Sequence, residues 1–95
     1  MATEIYYRLA GKTEINDILS KWTEYTKDIV KRPAVVAIKN GEIIGFISTH
    51  GAYPDMLVVG PLECEKQEGR ARGVIIKRMI DLYDATLIVT GKQIL

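Results

Sequence analysis

Residues 34–47 have the sequence AVVAIKNGEIIGFI, in which two apolar runs flank the pair Asn40-Gly41. An Asn-Gly pair between two such runs is the strongest short-range signal for a β-hairpin, because both central residues of a type I′ turn need a positive φ. The segment therefore predicts two antiparallel strands joined by a tight turn in the middle of the chain.

The residues before this hairpin predict a strand followed by a helix. Residues 4–9 alternate between polar and apolar side chains, which is typical of a half-buried strand at the edge of a sheet. Across residues 14–31 apolar side chains recur at a spacing close to the helical period, so an amphipathic helix is expected that packs Trp22 against the sheet. Thr13 is its expected N-cap, and Pro33 is expected to stop it.

Three further elements are predicted after the hairpin. A strand over residues 56–64 is interrupted by Gly60-Pro61, where it should carry a bulge or splay from its neighbour because proline cannot donate to the ladder. A second helix is expected from Arg70 to about Tyr83. Residues 86–90, TLIVT, are apolar without alternation, which is typical of a strand that is covered on both faces.

The elements follow one another in the order β-α-β-β-β-α-β, which predicts an α/β protein of α+β character with a mixed sheet. The hairpin is antiparallel, and the strand–helix–strand unit over residues 56–90 is expected to be a right-handed parallel crossover. A chain of 95 residues has the length of one small domain, so residues 1–95 are expected to form a single domain.

The composition argues against several classes of function. Hydrophobic residues make up 47% of the chain and charged residues 26%, which is typical of a globular protein. Thirteen Lys and Arg against twelve Asp and Glu give a formal charge of +1, which argues against binding of bulk nucleic acid or of an anionic membrane. No long apolar run and no basic region before an apolar one occur, so neither a membrane span nor a secretion signal is expected.

The cysteine and histidine counts bear on cofactors and on the compartment. Cys64 is the only cysteine, which excludes an intramolecular disulfide and favours a reducing, cytoplasmic location. His50 is the only histidine, so no metal is expected. Cys64 with His50 suggests a thiol nucleophile, but a lone cysteine on a strand is more typical of a small hydrophobe and nothing in the sequence orients the histidine.

The segment Glu68-Gly69-Arg70-Ala71-Arg72-Gly73-Val74-Ile75 lies where a strand and a loop lead into the second predicted helix. A helix start presents unpaired N–H groups and the positive end of the helix dipole, which suit a phosphate or a pyrophosphate. Gly69 and Gly73 would allow a ligand to approach the backbone closely. Arg70 and Arg72 are cations at the positive end of a helix, a conflict that an anionic ligand would resolve; the alternative is that both side chains are simply solvated.

At this segment the chain resembles the GNAT (Gcn5-related N-acetyltransferase) superfamily. Residues 70–75, RARGVI, are similar to the family's motif R/Q-x-x-G-x-G/A, which opens the helix after the fourth strand, and a second register over residues 66–71, KQEGRA, also fits loosely. The hairpin and the order of elements along nearly the whole chain are similar to the family as well. The resemblance is to a small member that is abbreviated at its C-terminus, because the chain ends after the fifth predicted strand.

The resemblance implies a binding site for acetyl-CoA. The donor would lie in a notch where the strand over residues 56–64 splays from the strand over residues 86–90. Its pyrophosphate would be held by backbone amides, those of Arg70, Ala71, Arg72, Gly73, Val74 and Ile75. Strand backbone near Leu62, Glu63 and Cys64 would pair with the pantetheine arm, and one amide there would polarise the thioester carbonyl. The chain departs from the family where Ile75 replaces a small residue and where Glu65 and Glu68 make the loop acidic.

The candidate general base is Glu63, which would take the proton of the attacking amine, with Glu65 as a weaker alternative. Otherwise Glu63 is a solvated carboxylate on a strand. In the family that the chain resembles, a C-terminal region commonly supplies a tyrosine that acts as general acid toward the thiolate. The resemblance implies that this chain lacks that region. Tyr53 and Tyr83 could take the place of that tyrosine, although tyrosines in a small core usually serve packing.

Two functions of different classes follow from these observations. The first is acetyl-CoA-dependent N-acetylation of an amine acceptor, either a small molecule or a protein lysine. The alternative is a non-catalytic GNAT-like module that binds a partner protein. An apolar strand over residues 86–90 predicts a homodimer, or a tight partner protein, that covers this edge, unless residues 91–95 fold back and shield it.

Overall fold

The computed structural model describes the backbone of residues 4–53 and 56–94, and the side chains of residues 4–49 and 60–86. The elements in chain order are β1 (Ile5–Leu9), α1 (Lys12–Lys21), β2 (Lys31–Lys39), β3 (Glu42–Tyr53), β4 (Met56–Cys64), a 3₁₀ segment (Lys66–Ala71) and α2 (Arg72–Ile94). The four strands form one antiparallel sheet in the order β1-β2-β3-β4. The chain is therefore a small α+β fold with two α-helices.

The predicted hairpin is confirmed. Lys39 of β2 pairs with Glu42 of β3, and the two residues between them both have positive φ, 53° at Asn40 and 77° at Gly41. These are the left-handed conformations that a type I′ turn requires, and Asn and Gly adopt them at low cost.

The predicted bulge at Gly60-Pro61 is confirmed as well. Ile47 of β3 pairs with Leu62 of β4, whereas Thr49, two residues further along β3, pairs with Val59, three residues back along β4. One extra residue is therefore inserted in β4 at the point where proline removes a donor from the ladder.

The second helix covers one face of the sheet. Ile75, Met79 and Tyr83 follow one another at intervals of four residues and are at most 1% exposed. They pack with Val35, Ala37, Ile47 and Cys64 from the strands, in a core made mainly of aliphatic side chains. This spacing places all three side chains on one stripe of α2, which is what fixes the helix against the sheet.

The strand predicted over residues 86–90 is wrong, because α2 continues without interruption to Ile94. The hydroxyl of Thr86 donates to the carbonyl oxygen of Leu82 at 3.0 Å, the i−4 bond of a helical threonine. Residues 91–94 also belong to the helix and do not form a separate tail. Three expectations that depended on this strand are therefore wrong as well. They are the parallel crossover, the notch between residues 56–64 and 86–90, and the strand edge expected to attract a homodimer or a partner protein.

The first helix covers the opposite face and is shorter than predicted. It begins after Gly11, whose N–H donates to the Glu14 carboxylate at 2.8 Å, so that Thr13 is not the N-cap. It ends at Lys21, and residues 22–30 form turns; Pro33 lies inside β2. The aromatic and β-branched residues of segment 22–30 have only modest helix propensity, and leaving the helix lets two of them reach the sheet.

Those two residues are Trp22 and Tyr25, which pack on Phe46 at the centre of the α1 face. The ring centroids of Trp22 and Phe46 are 5.1 Å apart, and those of Tyr25 and Phe46 are 5.8 Å apart in an edge-on arrangement. Offset and edge-on contacts of this kind are the preferred geometries of aromatic pairs. The turn after α1 is therefore fixed by aromatic packing, and it borders the site described next.

Candidate functional site

A cleft of about 680 Å³ lies on the α1 side of the sheet, between the end of α1, the end of β4 and the 3₁₀ segment. Its lining is rich in charge, comprising Lys21, Trp22, Glu24, Glu63, Cys64, Glu65, Lys66, Gln67 and Arg72. The cleft thus brings the predicted base Glu63 together with Cys64 and Arg72 from the predicted donor site.

The carboxylate of Glu63 is held in place from the turn after α1. Glu63 is paired with Phe46 across the β3–β4 ladder, which directs its side chain to the α1 face. There the hydroxyl of Tyr25 donates to Oε2 of Glu63 at 2.5 Å. This hydrogen bond, together with burial, raises the pKa of Tyr25 to about 12, so the phenol keeps its proton.

The second carboxylate of this strand end, Glu65, is engaged by a lysine. The ammonium of Lys21 forms an ion pair with Glu65, donates to the carbonyl oxygen of Ile43 at 2.6 Å and lies 5.5 Å from the ring centroid of Trp22. These contacts tie the end of α1 to β3 and to the end of β4. Glu65, the weaker alternative base, is therefore occupied by Lys21, whereas Glu63 has only a neutral hydroxyl as its partner among the described residues.

The chain enters α2 through a glycine in a conformation that other residues rarely adopt. Gly69 has φ 57° and ψ −125° inside the 3₁₀ segment, and its carbonyl oxygen accepts from the N–H of Arg72. No atom lies within 4 Å of a Cβ built on Gly69 or on Gly73. With Arg70 and Ala71 also exposed, the entry into α2 is open to solvent.

The side chains at the start of α2 point in different directions. Arg72 lines the cleft, Val74 is 57% exposed, and Ile75 is buried in the core on the other face of the sheet. Ala71, Val74 and Ile75 also line a smaller depression of about 350 Å³ beside Tyr7 and Arg78. Because Ile75 faces the core, its bulk does not crowd the open side of the helix start.

The outer edge of β4 is partly covered by Arg72. The N–H of Glu65 donates inward to Ile44 at 2.8 Å, so by the alternation of an antiparallel ladder Leu62 and Cys64 direct their N–H and C=O groups outward. Nε of Arg72 donates to the carbonyl oxygen of Cys64 at 3.2 Å. The start of α2 and the edge of β4 are thereby joined at one point.

The side chains of Cys64 and Tyr83 do not lie beside Glu63, as a thiol nucleophile and a general acid would have to. The thiol of Cys64 is buried in the core on the α2 face, and burial raises its pKa, which disfavours the nucleophilic thiolate. Tyr83 is fully buried in that same core, on the face of the sheet opposite Glu63. The side chains of His50 and Tyr53, the other two candidates, lie outside the described residues.

The contact between Tyr25 and Glu63 was not predicted from the sequence. The two residues are 38 positions apart, and Tyr25 appeared only as an apolar position on the predicted helix. A tyrosine at the border of an amphipathic stripe carries no signal for the partner of its hydroxyl.

Among the side chains that the structure describes, those of residues 4–49 and 60–86, no group of three or more His, Cys, Asp or Glu is arranged to hold a metal. Over the described backbone, residues 4–53 and 56–94, no helix has both the length and the hydrophobicity to cross a membrane. No family model, curated protein or solved structure is significantly similar to the chain.

Proposed function

We propose that the chain is an N-acyltransferase of the GNAT type, which transfers the acetyl group of acetyl-CoA to an amine. The observation that carries this proposal is the cleft, which Glu63 at the end of β4 lines together with Arg72, the first residue of α2. The antiparallel order β1-β2-β3-β4, with α1 and α2 on opposite faces, agrees with the first six elements that the resemblance implies. A single buried cysteine suits the reducing cytoplasm, where we place the activity.

The donor would bind along the start of α2 and the outer edge of β4. Of the two glycines at the entry to α2, Gly69 has a positive φ and Gly73 does not, so the geometry favours the register of the motif over residues 66–71, in which Gly69 takes the glycine position. Amides of residues 69–73 would face the pyrophosphate, except that of Arg72, which already donates to the carbonyl oxygen of Gly69. The outward groups of Leu62 and Cys64 would pair with the pantetheine arm, which has to share or displace the hydrogen bond from Arg72 to Cys64.

The chemistry follows from the position of Glu63. Tyr25 occupies Oε2 of its carboxylate, which leaves the other oxygen to accept the proton of an amine in the cleft. The amine nitrogen attacks the thioester carbonyl, the new C–N bond forms, and the C–S bond breaks. The sulfur leaves as a thiolate and takes up a proton from solvent. An outward amide of β4 would stabilise the oxyanion that develops on the carbonyl.

Two measurements test this proposal on the purified chain. Coenzyme A and acetyl-CoA should raise the melting temperature, because they bind the folded state alone, and release of the free thiol should report transfer to an amine. Glu63→Gln should leave coenzyme A binding intact and slow transfer by about a hundredfold or more, as removal of a general base does. The matched control is Asp81→Asn, an exposed carboxylate on α2 whose ion-pair partner is Lys77. Absence of any thermal shift at millimolar coenzyme A would overturn the proposal.

A second candidate function, a non-catalytic binding module, is favoured by one specific observation. Residues 86–90 belong to α2, so no fifth strand pairs with β4 among the described residues and its outer edge is open to another chain. An open edge is a template for pairing with a partner protein or with a second copy in a homodimer. Sedimentation velocity at micromolar concentration would detect the homodimer, and a clean monomer that binds coenzyme A would leave the enzyme as the function.

A further inference from the structure

The charged side chains that line the cleft are grouped by the sign of their charge. Glu24, in the turn after α1, and Glu63, on β4, line the cleft on the side of the sheet and of that turn. Lys66, from the 3₁₀ segment, and Arg72, from the start of α2, line the wall that these two elements form. The other two charged residues of the lining, Lys21 and Glu65, form an ion pair with each other.

The charged side chains on these walls still have hydrogen-bonding or ion-pairing groups available to a ligand. Within the described part of the chain, neither Glu24 nor Lys66 forms an ion pair, and Glu63 is bonded only by the neutral hydroxyl of Tyr25. Arg72 uses Nε for the carbonyl of Cys64, and its other guanidinium nitrogens carry further donors. One wall therefore offers carboxylates, and the other offers cations.

Trp22, which lies in the same turn as Glu24, also lines the cleft. The Lys21 ammonium already sits 5.5 Å from the centroid of the Trp22 ring, which shows that an alkylammonium group is accommodated beside this ring. A carboxylate next to an aromatic face is the combination that recognises alkylammonium groups, through charge pairing and cation–π attraction.

We infer that the cleft binds a small zwitterion of the amino-acid class. Its ammonium group would lie against Glu24, Glu63 and Trp22, and its acid group against Lys66 and Arg72. A volume of about 680 Å³ is ample for such a molecule. An amine or an acid alone would find partners on one wall only. The inference deepens the proposed function, because this zwitterion would be the amine acceptor, but its binding needs no coenzyme A.

The test uses three probes of equal carbon length in the absence of coenzyme A. These are γ-aminobutyrate, which carries both charges, butylamine, which carries the ammonium alone, and butyrate, which carries the acid alone. Isothermal titration should give γ-aminobutyrate a dissociation constant at least about tenfold lower than that of either single-charge probe, since one added charge-assisted hydrogen bond is worth at least that factor.

Two variants assign the ends of the ligand to the walls. Glu24→Gln, an exposed position, should weaken γ-aminobutyrate and butylamine and leave butyrate unchanged. Lys66→Gln should weaken γ-aminobutyrate and butyrate and leave butylamine unchanged. The matched control is Lys77→Gln, an exposed lysine of α2 whose partner is Asp81, which should change none of the three affinities.

Each outcome separates this inference from the function on which it rests. Absence of binding of γ-aminobutyrate, or binding no tighter than that of butylamine, overturns the inference. If coenzyme A binds in that case, the proposed function stands and only the acceptor class is wrong. If γ-aminobutyrate binds with the expected preference and coenzyme A does not bind, the site stands and the acyltransferase proposal falls.

Discussion

The two faces of the sheet are covered in different ways. The α2 face is covered by a helix of 23 residues whose side chains close an aliphatic core around Met79. The α1 face is covered by a helix of only 10 residues, and aromatic side chains from the following turn complete it. The rim of this second face is left open, and the cleft with Glu63 lies there. The α2 face is therefore closed by its core, whereas the α1 face leaves charged side chains around an open cleft.

The largest effect is expected at the centre of the α2 face. Met79 is fully buried, so Met79→Ala should lower the free energy of unfolding by about 2 to 5 kcal/mol, as truncations that leave a cavity do. Urea unfolding measures the loss. Ligand binding by the fraction that remains folded should be unchanged, and a strong change in affinity would show that the two faces are not separate in function.

A position at which the two faces meet should give the next largest effect. A Cβ at Gly45 would lie 2.9 Å from the carbonyl oxygen of Glu63 and 3.1 Å from the terminal methyl of Met79. Gly45→Ala should therefore cost about 1 to 3 kcal/mol of stability, because β4 or α2 has to shift. Unlike Met79→Ala, it should also weaken ligand binding at Glu63. Unchanged stability and unchanged binding would contradict this role of Gly45.

The hydrogen bond between Tyr25 and Glu63 should appear as a pH dependence. The pKa of Tyr25 is raised from its ordinary value of 10.0 to about 12 in the folded chain. The stability that this protonated phenol contributes is therefore complete below pH 10 and is lost as the pH rises through 12. Chemical unfolding across this range should show a steeper loss for the wild type than for Tyr25→Phe. Equal slopes would mean that the bond contributes nothing.

The smallest effects are expected for the ion pairs. Lys21→Ala removes contacts with Glu65 and with the Ile43 carbonyl at the rim of the cleft, and should cost about 1 kcal/mol or less, falling as salt is added. Lys77→Ala removes an exposed pair on α2, at 76% and 62% side-chain exposure, and its effect should be near zero. Thermal unfolding of both variants tests the order, and an equal loss would argue against a structural role of Lys21.

The parts of the fold that could be predicted are those that local chemistry dictates. Asn40-Gly41 accepts positive φ and so fixes the turn, and Gly60-Pro61 lacks a donor and so fixes the bulge. The β-branched residues over 86–90 carry only a weak preference for a strand, of tenths of a kcal/mol each, which the helix anchored on the sheet by Ile75 and Met79 overrides. The amphipathic pattern over 14–31 likewise could not reveal that its aromatic residues leave the helix.

The candidate site likewise has one part that could be predicted from the sequence and another that could not. Glu63 could be placed at the end of a strand and Gly69 at the start of a helix, because both follow from local signals. The cleft that joins them depends on contacts between distant segments, above all those of Tyr25 with Glu63 and of Lys21 with Glu65. No periodicity or motif encodes such pairs, since they arise only when the turn after α1 packs on the sheet.

The most direct test of the proposed acyltransferase site is a map of backbone amide shifts on titration with coenzyme A, by heteronuclear NMR of the intact chain. We expect the largest shifts on Leu62–Cys64, at the outer edge of β4, and on Gly69–Gly73, at the entry into α2. A spectrum that does not change at millimolar coenzyme A would contradict the proposal. Shifts confined to the depression beside Tyr7 and Arg78 would contradict it equally.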